Sequence, residues 1–282
     1  MSKCMCPRAL LFVPASRPDR IHKALATNAD MVCVDLEDGV DLDSKDSARE
    51  SLLAFLSSAN FDADRLSVRV NNPVSDLGQQ DLMAIAGLHQ PVKRLLLPKV
   101  ADTETIEAVS EVCPHVEESI VIIETSKGLS NVFALAAHQK VSAVCFGSAD
   151  WSTEVGCSME WDALLYARSR IIHAAAEGGS APIDGAWLQL DDEEGLETES
   201  RQLRSLGFLG RIALHPRQIT AILRSFTPDA STIEQAKQVL EASAQNSTGA
   251  FQINGLMVDE PIIRRARRVL ESVGISCSDA TK

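Results

Sequence analysis

The chain has 282 residues, with 27 Lys and Arg against 39 Asp and Glu, a formal net charge of −12, and 45% hydrophobic residues. This length can bury a large core without disulfides or a structural metal. The acidic balance excludes a nonspecific grip on nucleic acid or on an anionic membrane, both of which need a dense positive field. It leaves room for an anionic ligand held by a local group of Arg and Lys.

Short apolar runs alternate along the chain with helical patterns. The first run, Ala9–Val13, is too short for a secretory leader and is stopped by Pro14. Apolar residues at helical spacing follow over Asp19–Ala26, then come the run Met31–Val34, a helical pattern over Ser44–Leu56, and the runs Leu66–Val70 and Arg94–Leu97. A helical pattern over Thr103–Val112 precedes the runs Ile120–Ile123 and Ala143–Phe146. The helical Asp162–Ala176 leads to the last two runs, Ala181–Ile183 and Arg211–Leu214. Several runs are continuously apolar and rich in Val and Ile, as strands buried on both faces are. Eight such strands separated by helices, at a spacing of about 25–30 residues, predict an α/β fold of the (β/α)8 TIM-barrel type. An open doubly wound sheet is the alternative, but it usually carries a Gly-rich phosphate loop after its first strand, and none follows Val13.

After Leu214 the pattern changes. Pro216–Phe226, Thr232–Ala244 and Pro261–Val273 read as helices with no strand between them, and the polar Gln245–Val258 reads as a loop. The expected organisation is a barrel over residues 1–215 and a C-terminal helical extension over residues 216–282, serving as a lid or a subunit contact. No apolar run approaches the ~20 residues of a membrane span. The seven cysteines, Cys4, Cys6, Cys33, Cys113, Cys145, Cys157 and Cys277, are odd in number and irregularly spaced. Cys33 and Cys145 sit inside apolar runs, which fits free thiols and a cytoplasmic setting. Cys4 and Cys6 read as part of a frayed terminus rather than a metal site.

In a barrel of this kind, functional side chains project from the C-terminal ends of the strands. Asp35, Glu37 and Asp38 stand at the end of the second run, Arg69 and Asn71 at the third, and Pro98-Lys99 at the fourth. Glu124 ends the fifth, Gly147 and Asp150 follow the sixth, and His215 follows the eighth. Glu124 and Asp150 lie one βα unit apart, and two carboxylates with waters and ligand oxygens are a normal way to hold Mg²⁺. The competing role is helix capping, since Thr125, Ser126 and Asp150 all lie near possible helix starts. Two readings also stand for Arg69: an ion-pair partner for the nearby acids, or a planar fork for a substrate carboxylate. His215 before Pro216 reads as a hydrogen-bonded structural histidine, and Arg264, Arg265, Arg267 and Arg268 as a solvated helix face or subunit contact.

The segments LLFVPASRPDRIHKAL, DLEDGVDLDSKDSAR, VRVNN followed by LGQQDL, LLLPKV, IIETSKGL, VCFGSADWSTEVG, GRIALHPRQI and INGLMVDEP occur in one order across almost the whole chain. In that order they resemble the citrate lyase β-subunit-like (HpcH/HpaI aldolase/citrate lyase) family, which includes malyl-CoA and citramalyl-CoA lyases. The resemblance implies a (β/α)8 barrel with a C-terminal helical extension. It matches Glu124 and Asp150 to the family's Mg²⁺-binding carboxylates, with Mn²⁺ an alternative because hard oxygen ligands serve both. It matches Arg69 to the arginine that contacts the 2-keto-acid moiety, and Glu37 and Asp38 to an acidic pair on metal-bound waters. Phe12, Arg17 and Lys23 match positions that hold coenzyme A, here part of the substrate. Asp259 matches a catalytic acid/base that reaches into a neighbouring subunit's site, which implies a homo-oligomer, a trimer or hexamer.

The implied activity is cleavage of a 3-hydroxy-3-carboxy acyl-CoA to acetyl-CoA and a 2-keto acid, citramalyl-CoA to pyruvate first. Alternatives are malyl-CoA cleavage, cleavage of a citryl group on an acyl carrier protein subunit, condensation with thioester hydrolysis, a CoA-independent aldolase, and an acyl-CoA binder without catalysis. Three positions depart from the family pattern: Ala15 in PASRP, Gly39 in LEDGV, and Trp151 after Asp150, where a smaller residue is usual.

Overall fold

Eight parallel strands close into a barrel in sequence order: β1 (Ala9–Pro14), β2 (Met31–Asp35), β3 (Leu66–Arg69), β4 (Arg94–Leu97), β5 (Glu118–Ile123), β6 (Val141–Phe146), β7 (Ala181–Asp184) and β8 (Gly210–Ala213). The circle closes where Ala9 of β1 pairs with Arg211 of β8. The structure, a computed structural model, describes residues 6–58, 61–88, 92–245, 249–253 and 255–275. The barrel expected from the eight apolar runs is therefore the observed fold.

Between the strands lie α1 (Pro18–Leu25), α2 (Lys45–Ser58), α3 (Asp76–Ala86), α4 (Thr103–Val112), α5 (Ser126–Ser130), α6 (Val132–Ala137), α7 (Ser148–Val155), α8 (Trp161–Gly178) and α9 (Glu193–Leu206). α3 and α9, like the short α5, α6 and α7, lie outside the helical patterns that the apolar spacing predicts. Their starts are nonetheless coded locally: the Ser75 hydroxyl accepts from the Gly78 amide, and the Asp192 carboxylate from the Gly195 amide. α9 buries Leu196, Ser200 and Leu203, a narrow stripe on an otherwise charged helix.

The barrel interior is filled by alternate strand residues: Leu10 and Phe12, Met31 and Cys33, Leu96, Ile120 and Ile122, Ala143 and Cys145, Ile183, and Ile212. Period-2 alternation carries these rows to the C-terminal mouth, where β2 ends in Asp35, β3 in Arg69, and β5 runs out into Glu124. The β5–β6 pairing slips near its start: Ser119 pairs with Val141, but Ile120 pairs with Ala143, so Ser142 is an extra residue in β6.

On the outer side of β7 and β8, four charged residues interlock. Arg168 of α8 bonds Asp184 and Glu199, and Arg211 of β8 bonds Glu199 and the Ser200 hydroxyl. All four are largely buried, and they fasten α8 and α9 to the strands.

The chain divides into two compact units, Met1–Leu223 and Arg224–Lys282. The first ends in a short 3-10 turn (Pro216–Gln218) and most of α10 (Ile219–Phe226). The second contains α11 (Ala230–Gln245), β9 (Phe251–Ile253), β10 (Leu256–Val258) and α12 (Glu260–Ser272). Its core joins Ala236, Val239 and Leu240 of α11 to Val258, Ile263, Ala266 and Leu270. The segment Gln245–Val258, read as a loop, instead holds an antiparallel hairpin in which Ile253 pairs with Leu256 and Phe251 with Val258. Each strand has only three residues, too few to show an alternating pattern.

Cys6, Cys33, Cys113, Cys145 and Cys157 are free thiols. Cys4 and Cys277 lie outside the described residues. Among the described residues, no helix is long and apolar enough to cross a membrane.

Candidate active site

Arg69 is the centre of the mouth. Its Nε and Nη2 donate to the two oxygens of Asp35, each at 2.7 Å. Its Nη1 lies 2.7 Å from Glu37 Oε2 and 3.9 Å from Asp38. The ring of Phe12, on β1, lies under the guanidinium at 4.9 Å. Burial works against the charge on Arg69, but Asp35 and Glu37 outweigh it and push its pKa up. The cation is therefore permanent and held rigidly.

Asp35 is itself fixed. It accepts from the amides of Glu37 and Gly39 at 2.9 and 2.8 Å. A Cβ at residue 39 would fall 2.5 Å from Asp35 Oδ2. Glycine at this departure from the family pattern thus gives the Asp35 carboxylate the space it occupies.

Glu37, Lys99 and Glu124 form the second half of the site. The Lys99 ammonium bonds Glu37 Oε1 and stands 3.8 Å from Glu124 Oε1, while the Lys99 amide donates to the same Glu124 oxygen at 2.7 Å. Burial raises the pKa of Glu37, outweighing Arg69 and Lys99. Burial, with the charges of Glu37 and Asp150, lifts Glu124 to about 8. Lys99 is pushed up: burial opposes its charge, but Glu37 and Glu124 prevail. Its backbone adopts φ 56°, the sole positive φ at a non-glycine among the described residues, a conformation that costs about 1–3 kcal/mol.

Glu124 is followed by α5, whose N-cap is Thr125, its hydroxyl accepting from the Gly128 amide at 3.0 Å. Beside Glu124, β6 is followed by Gly147, where a Cβ would fall 2.5 Å from Glu124 Cβ and 2.6 Å from Oε2. Glu124 Oε2 has no hydrogen-bond partner among the described residues. Asp150 is exposed in the first turn of α7, close enough for its charge to act on Glu124.

The other expected site residues are spread more widely. Arg17 occupies the N-cap position of α1 without a side-chain capping bond and pairs with Asp19; Lys23, its side chain 80% exposed, stands 3.8 Å from the same acid. Asp38 is 62% exposed in its side chain, so Glu37 is the member of that pair that enters the mouth. Asp259 lies in the second unit as the N-cap of α12, accepting from the Ile262 amide at 3.4 Å. His215 is structural, accepting from the Arg217 amide in a capping box with Gln218. Trp151 packs edge-on against Phe146 in the core. Asp35 and Lys99, placed at strand ends by the sequence but given no specific role there, prove central. Asp35 also shares an inward parity with Cys33, whereas the parity of its run points Lys99 outward.

Among the described residues, no group of three or more His, Cys, Asp and Glu is arranged to enclose a metal ion. The mouth still suits a hard divalent cation that keeps several non-protein ligands. It offers two carboxylates from neighbouring βα units, Glu124 after β5 and Asp150 on α7, the first of them buried with an unbonded oxygen. Counted with every group ionised, Asp35, Glu37, Asp38, Glu124 and Asp150 exceed Arg69, Lys99 and Lys45, whose ammonium bonds the Leu36 and Glu37 carbonyls, by two charges; Asp81, which also acts on Lys45, is matched by its ion pair with Arg49.

Comparison with known proteins places this geometry. The family model described as HpcH/HpaI aldolase/citrate lyase matches residues 8–216. The chain is 30% identical to the citrate lyase subunit beta of Leuconostoc mesenteroides subsp. cremoris, over 94% of this chain and 92% of that protein. It is 29% identical to the mitochondrial citramalyl-CoA lyase of Rattus norvegicus, over 93% and 85% respectively. Among solved structures, the protein CitE of Mycobacterium tuberculosis in complex with magnesium, acetoacetate and coenzyme A superposes with a TM-score of 0.83 at 31% identity, covering 96% of this chain and 99% of that one.

Proposed function

The chain belongs to the HpcH/HpaI aldolase/citrate lyase family, and on that premise we propose that it is a divalent-metal-dependent carbon–carbon lyase. Its substrate is a 3-hydroxy-3-carboxy acyl-CoA, with citramalyl-CoA first, and its products are acetyl-CoA and a 2-keto acid, here pyruvate. The observation that carries this reading is the fixed cation Arg69 sharing one mouth with the buried, proton-prone Glu124. The magnesium and coenzyme A bound by the mycobacterial CitE, and the name of the rat relative, support the choice of cofactor and substrate class.

Glu124 and Asp150 are the residues to hold Mg²⁺, which when bound supplies a Lewis acid that makes a substrate hydroxyl more acidic. Arg69 binds the keto-acid portion through its fork and stabilises negative charge there without titrating. Glu37 and Asp38 order waters around the carboxylates. Phe12, Arg17 and Lys23 meet coenzyme A, the two cations serving its phosphates. In cleavage the hydroxyl proton passes to solvent water, the C–C electron pair passes to the thioester as an enolate, and a protonated Asp259 gives its proton to the enolate carbon that becomes the acetyl methyl, then regains one from water. In condensation Asp259 removes that proton. Asp259 acts from a neighbouring subunit, so the working form is a cyclic homo-oligomer, a trimer or a hexamer of two trimers, completing every site alike.

A second reading is favoured by the likeness to the Leuconostoc subunit: cleavage of a citryl group on an acyl carrier protein. The test is a cleavage assay on citramalyl-CoA and malyl-CoA side by side, with Mg²⁺ and with EDTA, reading acetyl-CoA and keto acid. Preference for citramalyl-CoA that EDTA abolishes is the expected result. Preference for malyl-CoA corrects the keto acid to glyoxylate. Failure on both moves the substrate to a carrier-bound citryl group or makes the protein an acyl-CoA binder.

A further inference from the structure

Lys99 stands against the parity of its strand. Leu96 of β4 faces the barrel interior, so strict alternation points residue 99 outward. The left-handed turn at φ 56° reverses this and brings both polar groups of Lys99 to the mouth. Glycine adopts that φ without strain and keeps the amide that holds Glu124. A lysine in this conformation therefore adds only its ammonium, which sits between Glu37 and Glu124.

The charge balance of the mouth shows what that ammonium does. With Lys99 present, the acids around Arg69 and Glu124 exceed the cations by two, which is the charge of one divalent ion. Without it they exceed them by three, and a site loaded with one such ion stays negative towards an anionic substrate. We propose that Lys99 is a positioning and charge-setting residue: it presents Glu124 to the metal through its amide, and through its ammonium it brings the metal-loaded mouth to neutrality so that a carboxylate-bearing substrate can enter. This rests on the metal reading of Glu124 and Asp150.

The two roles separate by substitution, since a side-chain change leaves the amide in place. Mn²⁺ affinity by titration calorimetry, KM for the acyl-CoA and melting temperature are measured for wild type, Lys99→Met, Lys99→Gly and Lys99→Arg. Measured above the Glu124 titration, removing the positive charge that stands 3.8 Å from Glu124 Oε1 tightens Mn²⁺ binding roughly ten-fold in Lys99→Met and Lys99→Gly. KM for the anionic substrate rises by a similar factor in both. Lys99→Arg stays near wild type in both readouts, and Lys99→Gly melts no lower than Lys99→Met because it relieves the turn. Loosened or unchanged Mn²⁺ binding with unchanged KM in the Met and Gly variants overturns the proposal. A wild type that neither binds Mn²⁺ nor turns over an acyl-CoA sinks the lyase reading instead, and Lys99 falls with it.

Discussion

Asp35 and Arg69 are register partners on adjacent strands, and their side chains meet fork to fork, with two N–H···O bonds of 2.7 Å. The pair fixes the plane of the guanidinium and leaves Nη1 on the Glu37 side. Asp35→Asn keeps the shape but removes the charge and one acceptor. Breaking a buried pair of this kind costs about 3–5 kcal/mol of stability. Because Arg69 is then free to tilt, turnover falls about 100-fold, as small misplacements of a positioning group do. Denaturant unfolding and kcat on the same preparation check both effects.

Glu124 makes the metal-free protein sensitive to pH. Its folded pKa of about 8 lies above its ordinary value of 4.5. Between those values the folded state holds a proton that the unfolded chain has released, so this group's contribution to stability falls as pH rises through the window and levels off above about pH 8. A metal must displace the same proton, so Mg²⁺ affinity climbs by up to about ten-fold per pH unit between pH 6 and 8, then levels. Calorimetric titrations across that range measure the slope. Glu124→Gln flattens it and abolishes Mg²⁺-dependent turnover; full activity in that variant at limiting Mg²⁺ would show that the metal is held elsewhere.

Gly147→Ala introduces one methyl group against Glu124 Cβ and Oε2, both inside 3 Å. Overpacking of this sort costs about 1–3 kcal/mol. Its larger effect is on the position of the carboxylate, and metal affinity drops more than ten-fold, a factor worth about 1.4 kcal/mol in binding. Comparing melting curves with and without Mg²⁺ separates the two, since the metal-induced rise in melting temperature shrinks in the variant.

The fastener outside β7 and β8 predicts the opposite pattern. Glu199 accepts from both Arg168 and Arg211. Glu199→Gln leaves two buried guanidinium groups facing the Asp184 charge alone, a loss on the order of 3–5 kcal/mol. Stability falls in chemical denaturation, while the Mg²⁺ affinity of the folded protein is unaltered.

Much of this molecule is legible in its sequence, for particular reasons. The eight strands are buried on both faces and therefore appear as apolar runs, and Asp35, Arg69 and Glu124 fall on the inward parity of runs two, three and five. Where the signal fails, a local device overrides periodicity. α9 hides because most of its surface is charged and solvated. The hairpin at Phe251–Val258 hides because three residues cannot alternate visibly. The position of Lys99 at a strand end is legible, but its direction is not, because a single backbone angle decides where its side chain goes. Asp259 is the converse case: its motif is plain in the sequence, and its geometry within the second unit is that of a helix cap.

The slip at the base of β6 reaches all the way to the chemistry. If Ser119 and Val141 were followed by residue-for-residue pairing, Phe146 would stand level with Glu124; with Ser142 as the extra residue, Gly147 stands there instead. An aromatic ring is thus exchanged for an open space by one residue some four positions away, at the closed end of the barrel. The reacting end of this protein is set by counting, and deleting Ser142 alone would plug it while leaving every functional side chain in the chain.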